Sequence, residues 1–296
     1  MTGQDIWSGM VSDSPDAAVG VLGVPFDGGV SFRRGAAFAP ARLRELSTRL
    51  AACGDEGTPL NLDVRDYGDV PPDLNWSRIF QTVEERAAGP LQHAQALFLG
   101  GDHSVSIPLM RAFDRSVDGS FGVVILDAHP DLFDVYDGHR WSHACTARRA
   151  LDLEGLDAEH LIFAGLRSIA REEWDFLQAH PSIRYVTARE WWRSGVDAVA
   201  HEVVARLQDV RAVYMSLDID VLDPAFAPGT GYPEGGGPST RELLELVRAL
   251  CGALPIKAMD VVEVAPVLDH GDRTSFAALS VIYEAWSATE ERWAES

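Results

Sequence analysis

The stretch Phe121-Gly122-Val123-Val124-Ile125-Leu126-Asp127-Ala128-His129-Pro130-Asp131, "FGVVILDAHPD", decides the fold. Its first six residues are apolar and rich in branched side chains, as in a strand buried on both faces. Such strands belong to parallel sheets covered by helices. The last five residues change character. Asp127, His129 and Asp131 recur at every second position, and if strand geometry persists through residue 131 they share one face. Two carboxylates and an imidazole crowded in one buried place repel each other and lose hydration. A divalent cation relieves both costs, because carboxylate oxygen and imidazole nitrogen are both ligands for it. The plainer alternative is a loop aspartate beside a hydrogen-bonded histidine, and this segment alone does not separate the two.

Working outward, similar apolar runs alternate with helix-like segments. Strands are expected at 18–26, 61–70, 94–101, 121–127, 160–167, 183–187, 212–220 and 256–264. Helices are expected over 41–52 (after Pro40, which suits a helix start), 76–88, near 105–115 and 143–152, and over 171–179, 195–208, 239–252 and 274–290. This βαβα order predicts an α/β fold, a three-layer α/β/α arrangement with a mostly parallel sheet of about eight strands. No internal repeat or linker interrupts it, so residues 1–296 read as a single catalytic domain. In open parallel sheets, ligands bind beyond the carboxyl ends of the strands.

The residues in those positions are consistent. "ALFLGGDHS" ends in Gly100, Gly101, Asp102, His103 and Ser104; "VYMSLDIDVLDP" ends in Ser216, Asp218, Asp220 and Asp223; "KAMDVVEVAP" ends in Asp260 and Glu263. His103, Asp127, His129, Asp131, Asp218 and Asp220 together offer two imidazoles and four carboxylates. Two divalent ions balance four carboxylates, so a binuclear centre fits better than a mononuclear one. Hard oxygen donors with a minority of nitrogen favour manganese, with cobalt, nickel, zinc and iron as alternatives. No thiolate lies near, which argues against a structural zinc site. Two such ions activate a shared water for hydrolysis. The sequence has neither a P-loop nor a basic cluster, which favours an electrophilic carbon over phosphorus.

Composition narrows the partners. The 296 residues carry 25 Lys plus Arg against 45 Asp plus Glu, a formal net charge of −20. This charge repels nucleic-acid backbones and anionic membranes, suits a cationic small molecule, and also simply aids solubility. The three cysteines are widely spaced and odd in number, the N-terminus lacks a signal-peptide pattern, and no apolar run spans a bilayer. A reducing, cytoplasmic setting is expected.

"GGDHS", "DAHPD" and "SLDIDVLDP", in that order, resemble the three signature motifs of the arginase/agmatinase (ureohydrolase) family. "GVPFDGGVSFRRGAAFAP", "APGTGYPEGGG" and "DVVEVAP" extend the resemblance, towards the agmatinase branch, over roughly residues 20 to 285. It implies an enzyme with two Mn2+ per subunit that hydrolyses a guanidinium to urea and an amine, most readily agmatine to putrescine. It also implies a homo-oligomer, a trimer or hexamer. Carried over, His103, Asp127, Asp131 and Asp218 would hold one ion, and Asp127, His129, Asp218 and Asp220 the other. Glu263 would pair with the guanidinium, and a planar cation facing a carboxylate is sound chemistry by itself. His143 would shuttle a proton to the leaving amine, with His139 as its rival. Three positions depart from the family pattern. Phe133 stands where arginases carry an asparagine that holds the α-carboxylate of arginine, which favours a substrate without that carboxylate. The loop Arg33-Arg34-Gly35-Ala36-Ala37 replaces Arg-Pro-Gly-x-Arg, so Arg33 or Arg34 is a candidate partner for a distal carboxylate. Tyr232 occupies a common threonine position. The alternatives are a guanidino-acid hydrolase such as a guanidinobutyrase, a formiminoglutamase, a zinc deacetylase-like enzyme and a non-catalytic scaffold.

Overall fold

The computed structural model describes residues 6–295. Eight strands form one sheet: β1 (Val19–Gly23), β2 (Val64–Asp69), β3 (Gln95–Leu99), β4 (Gly122–Leu126), β5 (Leu161–Leu166), β6 (Arg184–Thr187), β7 (Val213–Asp218) and β8 (Ile256–Val262). Their order is β2-β1-β3-β8-β7-β4-β5-β6, and every neighbouring pair is parallel. The expected mostly parallel sheet is therefore parallel throughout.

Both faces are covered, which is why the central strands read as unbroken apolar runs. Val124 and Leu126 of β4, with Leu97 and Leu99 of β3, pack on one face; Val123, Ile125, Ala96 and Phe98 pack on the other. The first face is covered by α1 (Ala39–Ser47), α6 (Ala188–Ser194), α7 (Val196–Leu207), α8 (Thr240–Ala253) and α9 (Arg273–Glu295). The second is covered by α2 (Trp76–Ala87), α3 (Ser106–Ser116), α4 (Thr146–Ala150) and α5 (Arg171–Ala179). Most boundaries shift by a few residues, and two helices differ for identifiable reasons. Helix α1 stops at Ser47 rather than continuing to residue 52, because Ser47 and Thr48 turn their hydroxyls back onto the carbonyls of Arg44 and Glu45. Helix α6, not expected, is set by a capping box in which Thr187 and Glu190 satisfy each other's backbone N–H.

The topology places a site. After β3 the chain leaves through α3 on one face, whereas after its neighbour β8 it leaves through α9 on the other. The pair β4 and β7 diverges likewise, through α4 and α8. Where adjacent strands send their connections to opposite faces, a crevice opens at their carboxyl ends. The four strands concerned are adjacent, so the two crevices merge in the middle of the sheet.

Candidate metal centre and active site

The six candidate His and Asp ligands, and Glu263, are each delivered by a strand end. Beyond β3, Gly101 lets two segments touch: a side chain there would bring its Cβ within 1.7 Å of the Phe26 carbonyl oxygen. Asp102 then caps a turn of 3-10 helix over His103–Val105, accepting from the N–H of Ser104 at 2.9 Å and that of Gly29 at 2.6 Å. Beyond β4 lie Asp127, His129 and Asp131; at the end of β7 lie Asp218 and Asp220; beyond β8 lies Glu263.

Alternating strand geometry is not what gathers them. Strand β4 ends at Leu126, before Asp127, and Asp131 has a left-handed φ of 51°. Strand β7 ends at Asp218, and Asp220 sits in a 3-10 turn capped by the Asp218 carboxylate, which accepts the Asp220 N–H at 2.9 Å. The condition for a shared strand face, strand geometry persisting through residue 131, is not met: the polar groups leave the sheet and curl over its edge. Glu263 is also left-handed, with φ 60°. Non-glycine residues in this region store backbone strain and concentrate at functional positions.

The six groups converge. His103 Nδ1 lies 3.1 Å from Asp127 Oδ2, 2.9 Å from Asp131 Oδ2 and 3.4 Å from Asp218 Oδ2. His129 Nδ1 lies 3.0 Å from Asp220 Oδ2 and 3.5 Å from Asp127 Oδ1. Two sets therefore bring donor atoms within 4.8 Å of one another, His103/Asp127/Asp131 and Asp127/His129/Asp220, with Asp127 common to both. Although both are buried, His103 Nδ1 and Asp127 Oδ2 make no hydrogen bond. Their lone pairs point to a shared space instead, as ligands of a cation do, and the donor set suits hard divalent ions. The far side of the His103 ring is fixed: Nε2 meets Ser216 Oγ at 3.0 Å, and Ser216 donates to Asp260 at 2.7 Å. Tyr214 donates to the same carboxylate at 2.6 Å, and this outer layer aims Nδ1 into the site.

The cluster attracts positive charge. Burial alone would push the His103 imidazole down, but the adjacent Asp127 and Asp131 hold it well above its ordinary range. Burial likewise opposes, and Asp220 and Asp127 outweigh it, in raising His129. Burial pushes Asp131 up to about 6, and Asp218 and Asp220 also rise, through burial and then repulsion from neighbouring carboxylates, Asp220 on Asp218 and Asp127 on Asp220. Asp127 goes the other way: burial raises it, and the two histidines beside it bring it below the carboxylate range.

A cavity of about 220 Å3 opens over this floor. Asp131, His129, Asp218, Asp220 and Glu263 form its base, and Phe133, Tyr136, His143 and Tyr232 its walls. Glu263 accepts the His103 N–H at 2.9 Å, and burial followed by repulsion from Asp102 pushes its carboxyl well above the usual range. His143 Nδ1 stands 4.0 Å from Glu263 Oε1. Burial, then the nearby His103 and His129, lower this imidazole to about 4, so it is neutral near pH 7.

The other candidates are placed as follows. His139 stacks on Trp76, with ring centroids 4.2 Å apart, and does not line the cavity. Arg33 donates from Nε to the Gly231 carbonyl, and Arg34 is exposed, 4.0 Å from Asp27; neither lines the cavity. Among the described residues that do line it, none is lysine or arginine. Of the seven lining residues that went unread in the sequence, four bear most on the chemistry. Ser31 and Tyr136 come from loops, Glu173 from the first turn of α5, and Glu234 from the glycine-rich loop after β7. Glu173 accepts the N–H groups of Leu132 and Ala170, both at 3.0 Å, and burial pushes it up to about 7. Glu234 lies 3.7 Å from His129 Nε2. Arg167 holds its loop by donating to the carbonyls of Glu234, Asp220, Val221 and Leu222. None of these lining residues carries a local sequence signal of facing a cavity.

Comparison with known proteins agrees with this geometry. A sequence model of the arginase family matches residues 17–287. Proclavaminate amidinohydrolase of Streptomyces clavuligerus is 36% identical over 270 residues, covering 88% of this chain and 84% of that protein. Guanidinobutyrase of Pseudomonas aeruginosa is 35% identical over 278 residues, covering 92% and 86%. Among solved structures, the agmatine ureohydrolase of Thermoplasma volcanium superposes with a TM-score of 0.87 at 28% identity, covering 98% of this chain and 96% of that one.

Proposed function

This chain belongs to the arginase family, whose members hydrolyse guanidino compounds, and on that premise we propose that it cleaves agmatine, or a guanidine with a similar cationic tail, to urea and an amine at a two-metal centre. In the overall reaction one water is consumed and one C–N bond of the guanidinium breaks, giving urea and putrescine from agmatine. His103, Asp127, Asp131 and Asp218 would hold one ion, and Asp127, His129, Asp218 and Asp220 the other. Manganese is the preferred metal, because oxygen donors outnumber nitrogen. Bound there, two divalent ions would supply Lewis acidity and an activated water.

The chain's own residues do the rest. The Glu263 carboxylate, at the cavity base, pairs with the planar guanidinium and orients it towards the His and Asp cluster. His143, neutral and 4.0 Å from Glu263, is placed to deliver a proton to the leaving nitrogen. Phe133, Tyr136 and Tyr232 wall off water along the methylene chain of the substrate.

The observation that carries the choice of substrate is the charge of the cavity. Its ionisable lining is acidic or imidazole, with no lysine or arginine among the described residues, and Glu173 and Glu234 add carboxylates to those of the floor. A distal amine is matched there; a distal carboxylate meets no cation, and Phe133 offers it no donor.

The test is urea release by manganese-loaded protein together with its metal content. The reading requires two manganese ions per chain and metal-dependent formation of urea and putrescine from agmatine. Two bound ions with no urea from agmatine, arginine or guanidinobutyrate would overturn the substrate class.

A further inference from the structure

Ser31 and Tyr232 reach the same imidazole from two different loops. Ser31 follows β1 and Tyr232 follows β7. Ser31 Oγ lies 2.8 Å from Tyr232 OH and 3.0 Å from His143 Nε2. The Tyr232 ring also stacks on the imidazole, with centroids 5.7 Å apart and planes 24° apart. Two hydroxyls and a ring nitrogen in a row allow two proton orders. In one, Tyr232 donates to Ser31, Ser31 donates to Nε2, and the imidazole proton is on Nδ1. In the other, Nε2 donates to Ser31, Ser31 donates to Tyr232, and Nδ1 is bare.

The cavity breaks this symmetry. Nδ1 faces Glu263 Oε1 at 4.0 Å, above a floor of carboxylates. Oε1 already accepts the His103 N–H, so it is an acceptor oxygen that attracts an N–H on Nδ1 and repels a lone pair there. The tautomer of a histidine is set by what its other nitrogen meets.

We infer that Ser31 and Tyr232 are positioning residues that fix His143 as its Nδ1–H tautomer and resupply its proton. Nδ1 then presents a proton to the leaving nitrogen as the C–N bond breaks. As that proton leaves, the Ser31 proton moves to Nε2, the Tyr232 proton moves to Ser31, and a solvent proton restores the phenol. One proton enters at Tyr232 and one leaves at Nδ1, so the imidazole ends neutral and only its tautomer must reset. Tyr232 and Ser31 are both partly exposed, so solvent reaches the two hydroxyls.

Two measurements test the assignment. Neutron diffraction from crystals of the manganese-loaded protein exchanged into D2O locates the protons directly. The expected map has deuterium on His143 Nδ1 and the Ser31 deuteron between Oγ and Nε2; deuterium on Nε2 with a bare Nδ1 overturns the proposal. The kinetic arm rests on the guanidino-hydrolase reading. Tyr232→Phe keeps the stacked ring and Ser31→Ala removes the link. Each is expected to lower kcat on agmatine about tenfold with KM within about twofold, the double variant no further, and Ser31→Thr to restore it. A raised KM with unchanged kcat would make both residues part of the binding wall and overturn the relay. If the wild-type protein releases no urea from any guanidine, the substrate reading fails, while the neutron map still decides the tautomer.

Discussion

Replacing Glu263 with glutamine removes one charge and almost no volume. Glu263 is 5% exposed, has a left-handed backbone, and accepts the His103 N–H at 2.9 Å. A glutamine carbonyl can keep that bond with the same backbone, and Glu263 is in neither metal-holding set. The loss therefore falls on the pair with the guanidinium, whose positive charge favours the ionised carboxylate. A charged hydrogen bond contributes about 1.5–3 kcal/mol, and truncating one partner of a desolvated charge pair costs about 2–5 kcal/mol. The overlap, about 2–3 kcal/mol, converts at about 1.36 kcal/mol per decade to a fall of roughly 30- to 160-fold in kcat/KM. The assay is the initial rate of urea release over a range of agmatine concentrations, alongside metal content and thermal midpoint. The expected variant holds its full metal complement, melts within a few degrees of wild type, and loses about two decades of kcat/KM. A fall of less than about threefold with full metal content would refute the guanidinium pairing. Loss of metal would show that Glu263 acts through His103 rather than on the substrate.

Three more predictions follow from the same geometry. Asp127 is common to both donor sets, so Asp127→Asn should disturb both ions, whereas Asp220→Asn should leave one ion bound; metal analysis after dialysis separates these outcomes. His143→Ala should lower kcat on the order of 100-fold, whereas His139→Ala, which unstacks Trp76 outside the cavity, should cost about 1 kcal/mol of stability with near-normal turnover; the opposite result would exchange their roles. Glu173, ordinarily near 4.5 and raised to about 7 by burial, contributes stability that is fully present below pH 4.5 and lost as pH rises through 7. Over that window it accounts for up to ~3 kcal/mol of decline in metal-free protein, and Glu173→Gln should flatten the urea-denaturation free energy there; an unchanged slope would sink the assignment.

The fold was legible because a parallel sheet writes itself as apolar runs. The segment Gly122–Leu126 is buried on both faces and could be read as such from Val123, Val124 and Ile125 alone. The six convergent His and Asp residues were legible because each follows such a run, although the period-two argument for their shared face was wrong in detail. That argument assumed a strand through Asp131, whereas a left-handed residue and two 3-10 turns do the gathering. Ser31, Tyr136, Glu173 and Glu234 were not legible, because nothing local distinguishes a loop serine or a first-turn glutamate that faces a cavity from one that faces water. Their role arises from contacts such as Leu132 to Glu173 and Ser31 to His143, which span 41 and 112 residues.

The most direct test of the central claim compares two substrates that differ chiefly in the charge of the distal end. Agmatine and 4-guanidinobutyrate present the same guanidinium on similar methylene chains, one ending in an amine and the other in a carboxylate. With manganese-loaded wild-type protein, the acidic cavity predicts kcat/KM for agmatine higher by roughly tenfold or more. A preference for guanidinobutyrate would contradict it and would mean that a cation outside the described lining, with Arg33 first among them, moves in to meet the carboxylate.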